Sequence, residues 1–285
     1  MKNDISFDLR MPAEMAKVAE QAGVYKVSKR KDLAFFLAIT AGVFISIAFV
    51  FYITVTTGAT PATSLTKLAG GLCFTLGLIL VVVCGADLFT STVMTVMAKA
   101  SGLISWRQLI VNWIIVYFGN LVGALFFVLL IWFSGQAMSS NGLWGLNVLQ
   151  TADHKMHHTF IEAVCLGTLC NLMVCLAVWM SYSGHSLTDK IVAMLLPIGM
   201  FVASGFEHSI ANMFIIPLAI VIRDFSPDQF WSMTQTTADN FPMLTVHNFI
   251  IDNLIPVTIG NIIGGGVLVS ITYWIIYLRE QKHEH

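Results

Sequence analysis

Charged residues are scarce in this chain of 285 residues. Only 11% of the residues are Asp, Glu, Lys or Arg, whereas 56% are hydrophobic, and the mean hydropathy is +0.78. A water-soluble domain carries about a quarter charged residues, so a soluble globular fold is excluded. The length leaves no room for a second domain beside a set of membrane spans. We predict one membrane domain with short tails.

Several other features are missing. The N-terminus is charged and its first apolar run begins only near Leu33, which excludes a cleaved signal peptide. The five cysteines lie in apolar stretches without Cys-x-x-Cys spacing, so we expect neither disulfides nor thiolate metal sites. No nucleophile is placed beside a base near a membrane surface, as an intramembrane enzyme would need. We therefore predict a protein that is not an enzyme, has no cofactor and binds no nucleic acid.

Six stretches are long and apolar enough to cross the hydrocarbon core, which takes about 20 residues. We predict an all-α membrane domain over 32–279, between an N-terminal segment, 1–31, and a C-terminal tail, 280–285. The second and fifth stretches exceed a simple span, as expected if each helix is broken inside the membrane. The six predicted spans are roughly 33–57, 68–98, 107–134, 158–183, 190–222 and 250–278.

The basic residues predict the orientation. With six spans and the N-terminus inside, twelve of the fifteen Lys and Arg residues lie on the inner side and three, including Lys155, on the outer side. The positive-inside rule therefore places both termini in the cytoplasm. Residues 12–22 are typical of a short surface helix that ends at Gly23. This helix either anchors the chain to the membrane surface or moves as a gate under a pore.

Polar residues interrupt the second and fifth spans, at 85–91 and 205–212. Asp87 and Glu207 each follow a glycine by two residues, and a carboxylate in a span costs a few kcal/mol. Interruptions at corresponding positions of two half-proteins indicate a permeation site. We predict that both carboxylates accept hydrogen bonds from the N-termini of the half-helices that follow, rather than contact a permeant ion.

The two halves of the chain repeat. Gly119-Asn120-x-x-Gly123 in the third span matches Gly260-Asn261-x-x-Gly264 in the sixth, as the two interruptions match each other. Three spans per repeat is an odd number, so the second copy must be inverted relative to the first. The glycines indicate close helix packing. The buried asparagine amides need partners, which either broken-helix backbone or a pore lining would supply.

His208 is the histidine that lies deep in a span, and imidazole changes charge near physiological pH. We predict a functional role for it, with hydrogen bonds to a small polar solute from Thr90 and its neighbours. The segment 153–158 with Glu162 has some metal-ligand character, but it supplies too few ligands at the right spacing. We predict no metal site there, and instead a polar outer collar in which Lys155 concentrates anions.

Three longer stretches resemble the formate/nitrite transporter family: VCGADLFTS at 83–91, ASGFEHSIANMF at 203–214 and PVTIGNIIGG at 256–265. The resemblance covers nearly the whole chain. It implies an aquaporin-like fold of six transmembrane helices in two inverted three-helix repeats. It also implies a homopentamer in the bacterial inner membrane, in contact with lipid, with one pore in each protomer.

The resemblance also implies roles for single residues. Thr90 would face His208 across the pore, and Asn171 and Asn261 would line it. Phe74 and Leu78, with Leu88 and Phe89 beside them, would form the cytoplasmic constriction, and Phe201 the periplasmic one. Polar residues grouped around the outer vestibule and the histidine would be Lys155, Glu207 and Asn212, with Asp87 as a support on the other interruption.

The function that these features predict is a formate channel, which conducts formate or formic acid in both directions. We expect apolar rings at Phe74 and Phe201 to exclude water, with Thr90 and His208 between them. His208 would become protonated or pass a proton, and an ionised Glu207 beside it would favour the imidazolium. The alternatives are a proton-coupled carrier, or a channel for another small anion such as nitrite or hydrosulfide.

Overall fold

The computed structural model of the chain describes residues 9–59 and 63–279, and the regular elements in these ranges are helical. The predicted tail, 280–285, and the first part of the predicted N-terminal segment lie outside the described residues. The helices are α1 (Pro12–Ser28), α2 (Lys31–Thr56), α3 (Ser64–Cys84), α4 (Phe89–Thr92), α5 (Val96–Ala100), α6 (Trp106–Phe133), α7 (Leu143–Met156), α8 (Phe160–Ser183), α9 (Leu187–Ala203), α10 (Ser209–Phe225), α11 (Asp228–Thr234) and α12 (Val246–Tyr277).

Five helices are long and apolar enough to cross a membrane, namely α2, α3, α6, α8 and α12. A sixth candidate is the pair α10 and α11, which is bent by 108°. Large apolar side chains such as Phe118 and Phe126 stay exposed along α6, an arrangement that suits lipid rather than water. The chain is therefore an all-helical membrane protein. The bounds of α2, α6 and α8 differ from the predicted spans by no more than two residues.

Two breaks interrupt the helices inside the second and fifth predicted spans. The first lies at 85–88, between α3 and α4, and the second at 204–208, between α9 and α10. Gly85 and Gly205 have φ angles of 82° and 73°, in the left-handed region that favours glycine. Each glycine ends its helix as a C-terminal cap does, and the chain then runs extended before the next helix begins.

Each half of the chain contains three packed helices. In the first half α2 packs against α3 and α6, and in the second half α8 packs against α9 and α12. A Cβ added at Gly123 of α6 would overlap the carbonyl group of Ile39, and one at Gly264 of α12 would overlap that of Thr168. This confirms that the repeated glycines allow close helix packing.

Helices α1 and α7 lie at opposite ends of α2. Helix α1 directly precedes α2, whereas the Asn147 amide of α7 donates to the carbonyl of Ile53, near the end of α2 (3.1 Å). The end of α8 lies near the start of α1, because the Arg10 guanidinium donates to the carbonyl of Tyr182 (2.9 Å). Helices α2 and α8 therefore run in opposite directions. We call the two faces of the molecule the α1 side and the α7 side.

Helix α1 is longer than predicted. It continues past Gly23 to Ser28, so Gly23 does not end it. A Cβ at Gly23 would lie 3.0 Å from that of Ala98 in α5, which explains the glycine by close packing instead of capping. The extra turn carries Lys26 to the first break.

Candidate functional site: two helix breaks and the passage between them

Asn120 of α6 holds the first break. Its side-chain amide donates to the carbonyl groups of Ala38 (2.7 Å) and Asp87 (3.0 Å). Its side-chain carbonyl accepts from the N–H of Phe89, the first residue of α4 (2.8 Å). One buried amide thus satisfies backbone groups that the break leaves without helical partners.

Asn261 of α12 holds the second break in the same way. Its amide donates to the carbonyl groups of Gly167 (2.8 Å) and Glu207 (3.0 Å), and its carbonyl accepts from the N–H of Ser209 (2.9 Å). Each partner of Asn261 has a counterpart among those of Asn120: Gly167 matches Ala38, Glu207 matches Asp87, and Ser209 matches Phe89. The prediction that Asp87 and Glu207 cap the half-helices was wrong, because the two asparagines bind these first N–H groups.

The Asp87 carboxylate is buried and binds lysines of α1. Lys29 Nζ lies 2.7 Å from one carboxylate oxygen, and Lys26 Nζ lies 3.6 Å from the other. Lys26 also donates to the hydroxyl groups of Thr92 (2.9 Å) and Ser91 (3.4 Å). Burial lowers the pKa of Lys26, and the Asp87 carboxylate opposes this shift. Ion pairs between Asp87 and two lysines therefore hold helix α1 against the first break.

The Glu207 carboxylate is buried on the α7 side, where its partner is Lys155 of α7 at 2.8 Å. Its second oxygen accepts from the side-chain amides of Asn212 (2.6 Å) and Asn253 (3.4 Å). The structure therefore brings together the three residues predicted for the outer vestibule, Lys155, Glu207 and Asn212. It adds Asn253, whose amide also donates to the carbonyl of Lys155 (3.1 Å).

Thr90 and His208 connect the two breaks. Thr90 Oγ1 lies 3.0 Å from His208 Nε2, although the residues are 118 positions apart in the chain. His208 Nδ1 accepts from the N–H of Ala211 (3.1 Å), so His208 is the side-chain cap of α10. An acceptor at Nδ1 places the proton of a neutral ring on Nε2, which then donates toward Thr90. The geometry thus selects one tautomer.

Asn171 and Cys175 of α8 position the backbone of Thr90. The Asn171 amide donates to the carbonyl of Thr90 (3.0 Å) and to the carbonyl of Asn261, and the Cys175 thiol lies 3.4 Å from the Thr90 carbonyl. Asn171 and Asn261 are completely buried. Their amide donors bind backbone carbonyls, so both side chains support the breaks. A pore-lining role for the two asparagines stays a prediction.

The residues expected at two constrictions are arranged differently from the prediction. The rings of Phe74 and Phe201 meet edge to face, with centroids 6.0 Å apart, and the Phe201 ring stacks on His208 at 6.1 Å. Placing Phe74 at the opposite constriction from Phe201 was therefore wrong. The Phe89 ring packs against Tyr117 of α6, with centroids 4.9 Å apart, and not against this pair.

Leu78 and Leu88 are buried in the apolar core of the bundle, at 3% and 1% exposure. Leu88 occupies the N-cap position of α4, which corresponds to His208 in the second break. The first break therefore presents an apolar residue where the second presents an imidazole.

A cavity lies on each side of the Thr90–His208 contact. The α7-side cavity has a volume of about 160 Å³ and includes Phe74, Phe201 and His208 in its lining. The α1-side cavity has a volume of about 420 Å³. The two linings correspond at several positions: Ala22, Tyr25, Lys26, Gly85, Ala86 and Asp87 on the α1 side match Thr151, His154, Lys155, Gly205, Phe206 and Glu207 on the α7 side. Lys29 also lines the α1-side cavity, whereas the residue at the corresponding position, His158, is not part of the α7-side lining.

The histidine-rich segment before α8 does not assemble a metal site. Within residues 9–59 and 63–279, no group of three or more His, Cys, Asp or Glu side chains is arranged to hold a metal ion. Asp153 pairs with His157 at 3.6 Å, and Glu162 forms a capping box with Thr159 at the start of α8. Lys155 of this segment donates a hydrogen bond to the buried Glu207 carboxylate, and His158 Nε2 lies 3.8 Å from the same carboxylate.

A model of the formate/nitrite transporter family matches residues 13–275. The chain belongs to this family. It is 71% identical over 284 residues to the formate channel FocA of Escherichia coli K12, covering 99% of this chain and 100% of that one. It is 58% identical over 281 residues to the formate channel FocB of the same strain, with 99% and 100% covered.

A solved structure described as a pentameric formate channel with formate bound is similar to this member of the formate/nitrite transporter family. The identity is 54% and the TM-score 0.83, over 87% of this chain and 98% of that one. A second solved structure, described as an ion channel of the same family, is 26% identical with a TM-score of 0.78. The protein is therefore a transporter and not an enzyme.

Sequence reasoning missed several residues of this family member's breaks. Lys26 and Lys29 were counted only as basic residues of the inner side, and Asn253 and Cys175 carried no signal of their own. Asn120 was noticed in the repeated motif but not assigned to the site. The lysines could have been found from the repeat itself. The number of residues that separates Leu37 from Leu166 also separates Lys26 from Lys155, so α1 and α2 correspond to α7 and α8.

Proposed function

We propose that this protein is a formate channel, which conducts formate or formic acid in both directions across the bacterial inner membrane. The passage runs between the two cavities and past Thr90 and His208. The single observation that carries the proposal is the 3.0 Å contact of these two side chains across the two breaks, with a lysine in each flanking cavity. The formate channels to which the chain is 71% and 58% identical support the choice of solute.

The chemistry suits a small monocarboxylate. Lys26 and Lys155 attract an anion to the two cavities, because clefts lined by one sign of charge concentrate the opposite ion. At the centre the anion loses its water and needs donors in return. The Thr90 hydroxyl and the Nε2–H of His208 are such donors, and their mutual hydrogen bond can be exchanged for bonds to one carboxylate. The apolar Phe74–Phe201 pair restricts hydrated ions.

His208 acts as a neutral donor in this proposal. Protonation would place a hydrogen on Nδ1, where it would meet the N–H of Ala211 and the positive end of α10. Glu207 was predicted to favour the protonated form of His208. In this conformation its carboxylate instead binds Lys155, Asn212 and Asn253. Protonation of His208 therefore requires the cap of α10 to open, which makes pH dependence a property of the conformation as well as of the ring.

The architecture that we infer has six spans, of which α3–α5 is the broken second. The broken fifth is α9–α10, and α11, which turns away from α10 by 108°, lies outside it. The opposite directions of α2 and α8 and the paired roles of Asn120 and Asn261 support two inverted repeats in an aquaporin-like arrangement. Exposed apolar faces and the pentameric relative support a homopentamer surrounded by lipid. The basic residues support an α1 side in the cytoplasm. Tags at both termini, probed by external protease in intact cells, test this orientation.

Two alternatives remain within transport: a carrier in which proton and solute move together, and a channel that prefers nitrite or hydrosulfide. The buried histidine favours the carrier, because a carrier needs a group that exchanges a proton at the centre. Reconstituted membranes separate these functions. A channel gives ohmic formate currents, whereas a carrier gives proton flux in fixed ratio to solute flux.

The test is a flux assay in proteoliposomes with formate, nitrite, acetate, chloride and hydrosulfide. We expect formate to pass fastest, and Thr90→Ala to reduce its flux by about tenfold or more, since a hydrogen bond to a charged group is worth roughly 1.5–3 kcal/mol. Thr40→Ala is the matched control, because the Thr40 hydroxyl is exposed on α2 and bonds only its own helix in the described structure. Equal formate flux in the two variants would remove Thr90 from the passage.

A further inference from the structure

His158 lies beside the Lys155–Glu207 pair without a hydrogen bond at its Nε2. This atom is 3.8 Å from the Glu207 carboxylate and, within the described structure, is a buried ring nitrogen without a hydrogen-bond partner. The side chain is still 17% exposed, so protons reach it from the α7 side. A protonated His158 would carry an N–H in front of an ionised carboxylate. A neutral His158 leaves Glu207 to Lys155.

The first break shows what a second cation does at this position. The sequence offset that relates Lys26 to Lys155 also relates Lys29 to His158. Lys29 Nζ binds the Asp87 carboxylate at 2.7 Å, beside Lys26. At the α1-side mouth, formed by Lys26, Lys29 and Asp87, two lysines therefore share one carboxylate. At the α7-side mouth, formed by Lys155, His158 and Glu207, an imidazole takes the place of the second lysine.

We propose that the protonation state of His158 sets the net charge of the α7-side mouth, and with it the rate at which this mouth captures anions. When His158 is neutral, Lys155 and Glu207 cancel. When it is protonated, it shares Glu207 with Lys155, and the three groups carry a net charge of one positive, as two charged lysines with Asp87 do on the α1 side. This inference rests on the proposed passage of a small anion and adds a group that lies outside the Thr90–His208 contact.

Charged and titratable groups face His158 from every element packed around it. Helix α7 contributes Lys155 and the ring of His154, whose centroid lies 5.4 Å from that of His158. Burial lowers the pKa of His154, and His158 is a further cause of this shift. The others are Asp153 and His157 from the end of α7, Glu162 from α8 and Glu207 from the second break. Asp252 of α12 lines, together with His158, a further pocket that is distinct from the α7-side cavity.

The expected consequence depends on the side of the membrane. Acidification on the α7 side raises the charge of that mouth and speeds anion capture from that side. Acidification on the α1 side has no corresponding effect, because a lysine and not an imidazole stands at that position. One added charge near the mouth changes capture by about twofold to fivefold in low salt, and added salt screens the effect.

The experiment uses the full-length oligomer in planar bilayers with separate pH control on the two sides. The variants are His158→Gln, which stays neutral, and His158→Lys, which copies Lys29. His157→Gln is the matched control, since His157 is 60% exposed and pairs with Asp153 instead of Glu207. Formate current from the α7 side is measured at pH 5.5 and 7.5 in low and high salt, and variants are compared at the same pH.

His158→Gln should lose the two- to fivefold acid-induced rise and its salt dependence, whereas His157→Gln keeps both. His158→Lys should give the acid-type current already at pH 7.5. The proposal is overturned if either His158 variant retains the pH ratio of the wild type. Should His158→Gln fail to assemble, His158→Lys alone decides. Absence of formate current in the wild type would refute the proposed function instead, so the two failures are distinguishable.

Discussion

The two breaks are held by corresponding residues but differ at the N-cap position of the half-helix that follows each break. In both, an asparagine binds the backbone, a buried carboxylate follows a left-handed glycine, and a lysine from a surface helix binds the carboxylate. The N-cap of the half-helix is Leu88 in the first break and His208 in the second. The shared residues therefore build the breaks, and the differing ones distinguish the two ends of the passage.

A second difference lies on the helices that precede the breaks. Gly42 on α2 corresponds to Asn171 on α8. A Cβ at Gly42 would overlap the carbonyl of Asn120, whereas the Asn171 side chain reaches the carbonyls of Asn261 and Thr90. The second half therefore reaches across to position Thr90 of the first half. Gly42 has no side chain with which the first half could make the corresponding connection.

The largest expected effect comes from removing the asparagine that binds the backbone in each break. Asn120→Leu or Asn261→Leu removes three buried hydrogen bonds and leaves backbone groups unsatisfied at the break. Each such group costs roughly 1–3 kcal/mol, so we expect both variants to lose several kcal/mol of unfolding free energy and to assemble poorly. Size-exclusion chromatography and thermal unfolding in detergent measure this.

Asn112→Leu is the control for that pair of variants. Asn112 is also a buried asparagine of α6, but its amide makes one long hydrogen bond, to the carbonyl of Lys26 at 3.3 Å, and its side-chain oxygen has no partner within the described residues. It should assemble nearly as the wild type. Similar losses at Asn120 and Asn261 would support an equivalent role. A stable, monodisperse Asn261→Leu variant would contradict it.

The next largest effect concerns the residue in which the breaks differ. His208→Phe should assemble but lose pH-dependent formate movement, with uptake of the acid reduced most. His208→Asn keeps a good N-cap residue for α10 but cannot titrate. It should retain some formate passage in the outward direction, and sided flux assays over a pH series measure both variants. Wild-type pH dependence in His208→Asn would leave His208 as a polar lining residue only.

The sequence predicted an all-helical membrane protein and the positions of the breaks because each has a strong physical cause. Apolar runs of span length predict helices, and carboxylates after glycines predict interruptions. The contact of Thr90 with His208 also followed from resemblance to the family. These signals are local or carried by long motifs.

The partners of the carboxylates could not be predicted in the same way. Asp87 and Glu207 were expected to cap helices, since a nearby N–H is the local choice. Their actual partners, Lys29 and Lys155, lie at the ends of the short helices α1 and α7, which are distant from the breaks in sequence. Nothing in the residue pattern of these two helices indicates that they pack against the breaks. The same limit applies to Phe74: side chains one turn apart share a face, but the sequence does not say that this face meets Phe201. Tertiary packing decided both outcomes.

The smallest effect is expected at the apolar pair on the α7 side. Phe74 and Phe201 touch each other and line one cavity, so we propose that they act as one constriction on the α7 side of His208 and not as two around it. Phe74→Ala or Phe201→Ala should raise acetate leak by a few-fold while formate flux changes little, because a wider constriction helps the larger anion most. Liposome flux of acetate relative to formate measures this selectivity.

A double variant tests whether the two rings act as one constriction. Residues in contact show non-additive effects, whereas separate constrictions in series would each continue to limit larger anions. The Phe74→Ala, Phe201→Ala double variant should therefore leak acetate little more than the stronger single variant. Phe89→Ala is the control, since the Phe89 ring packs on Tyr117 of α6. A multiplicative increase in the double variant would restore two independent rings, and unchanged selectivity in both single variants would remove Phe74 and Phe201 from the passage.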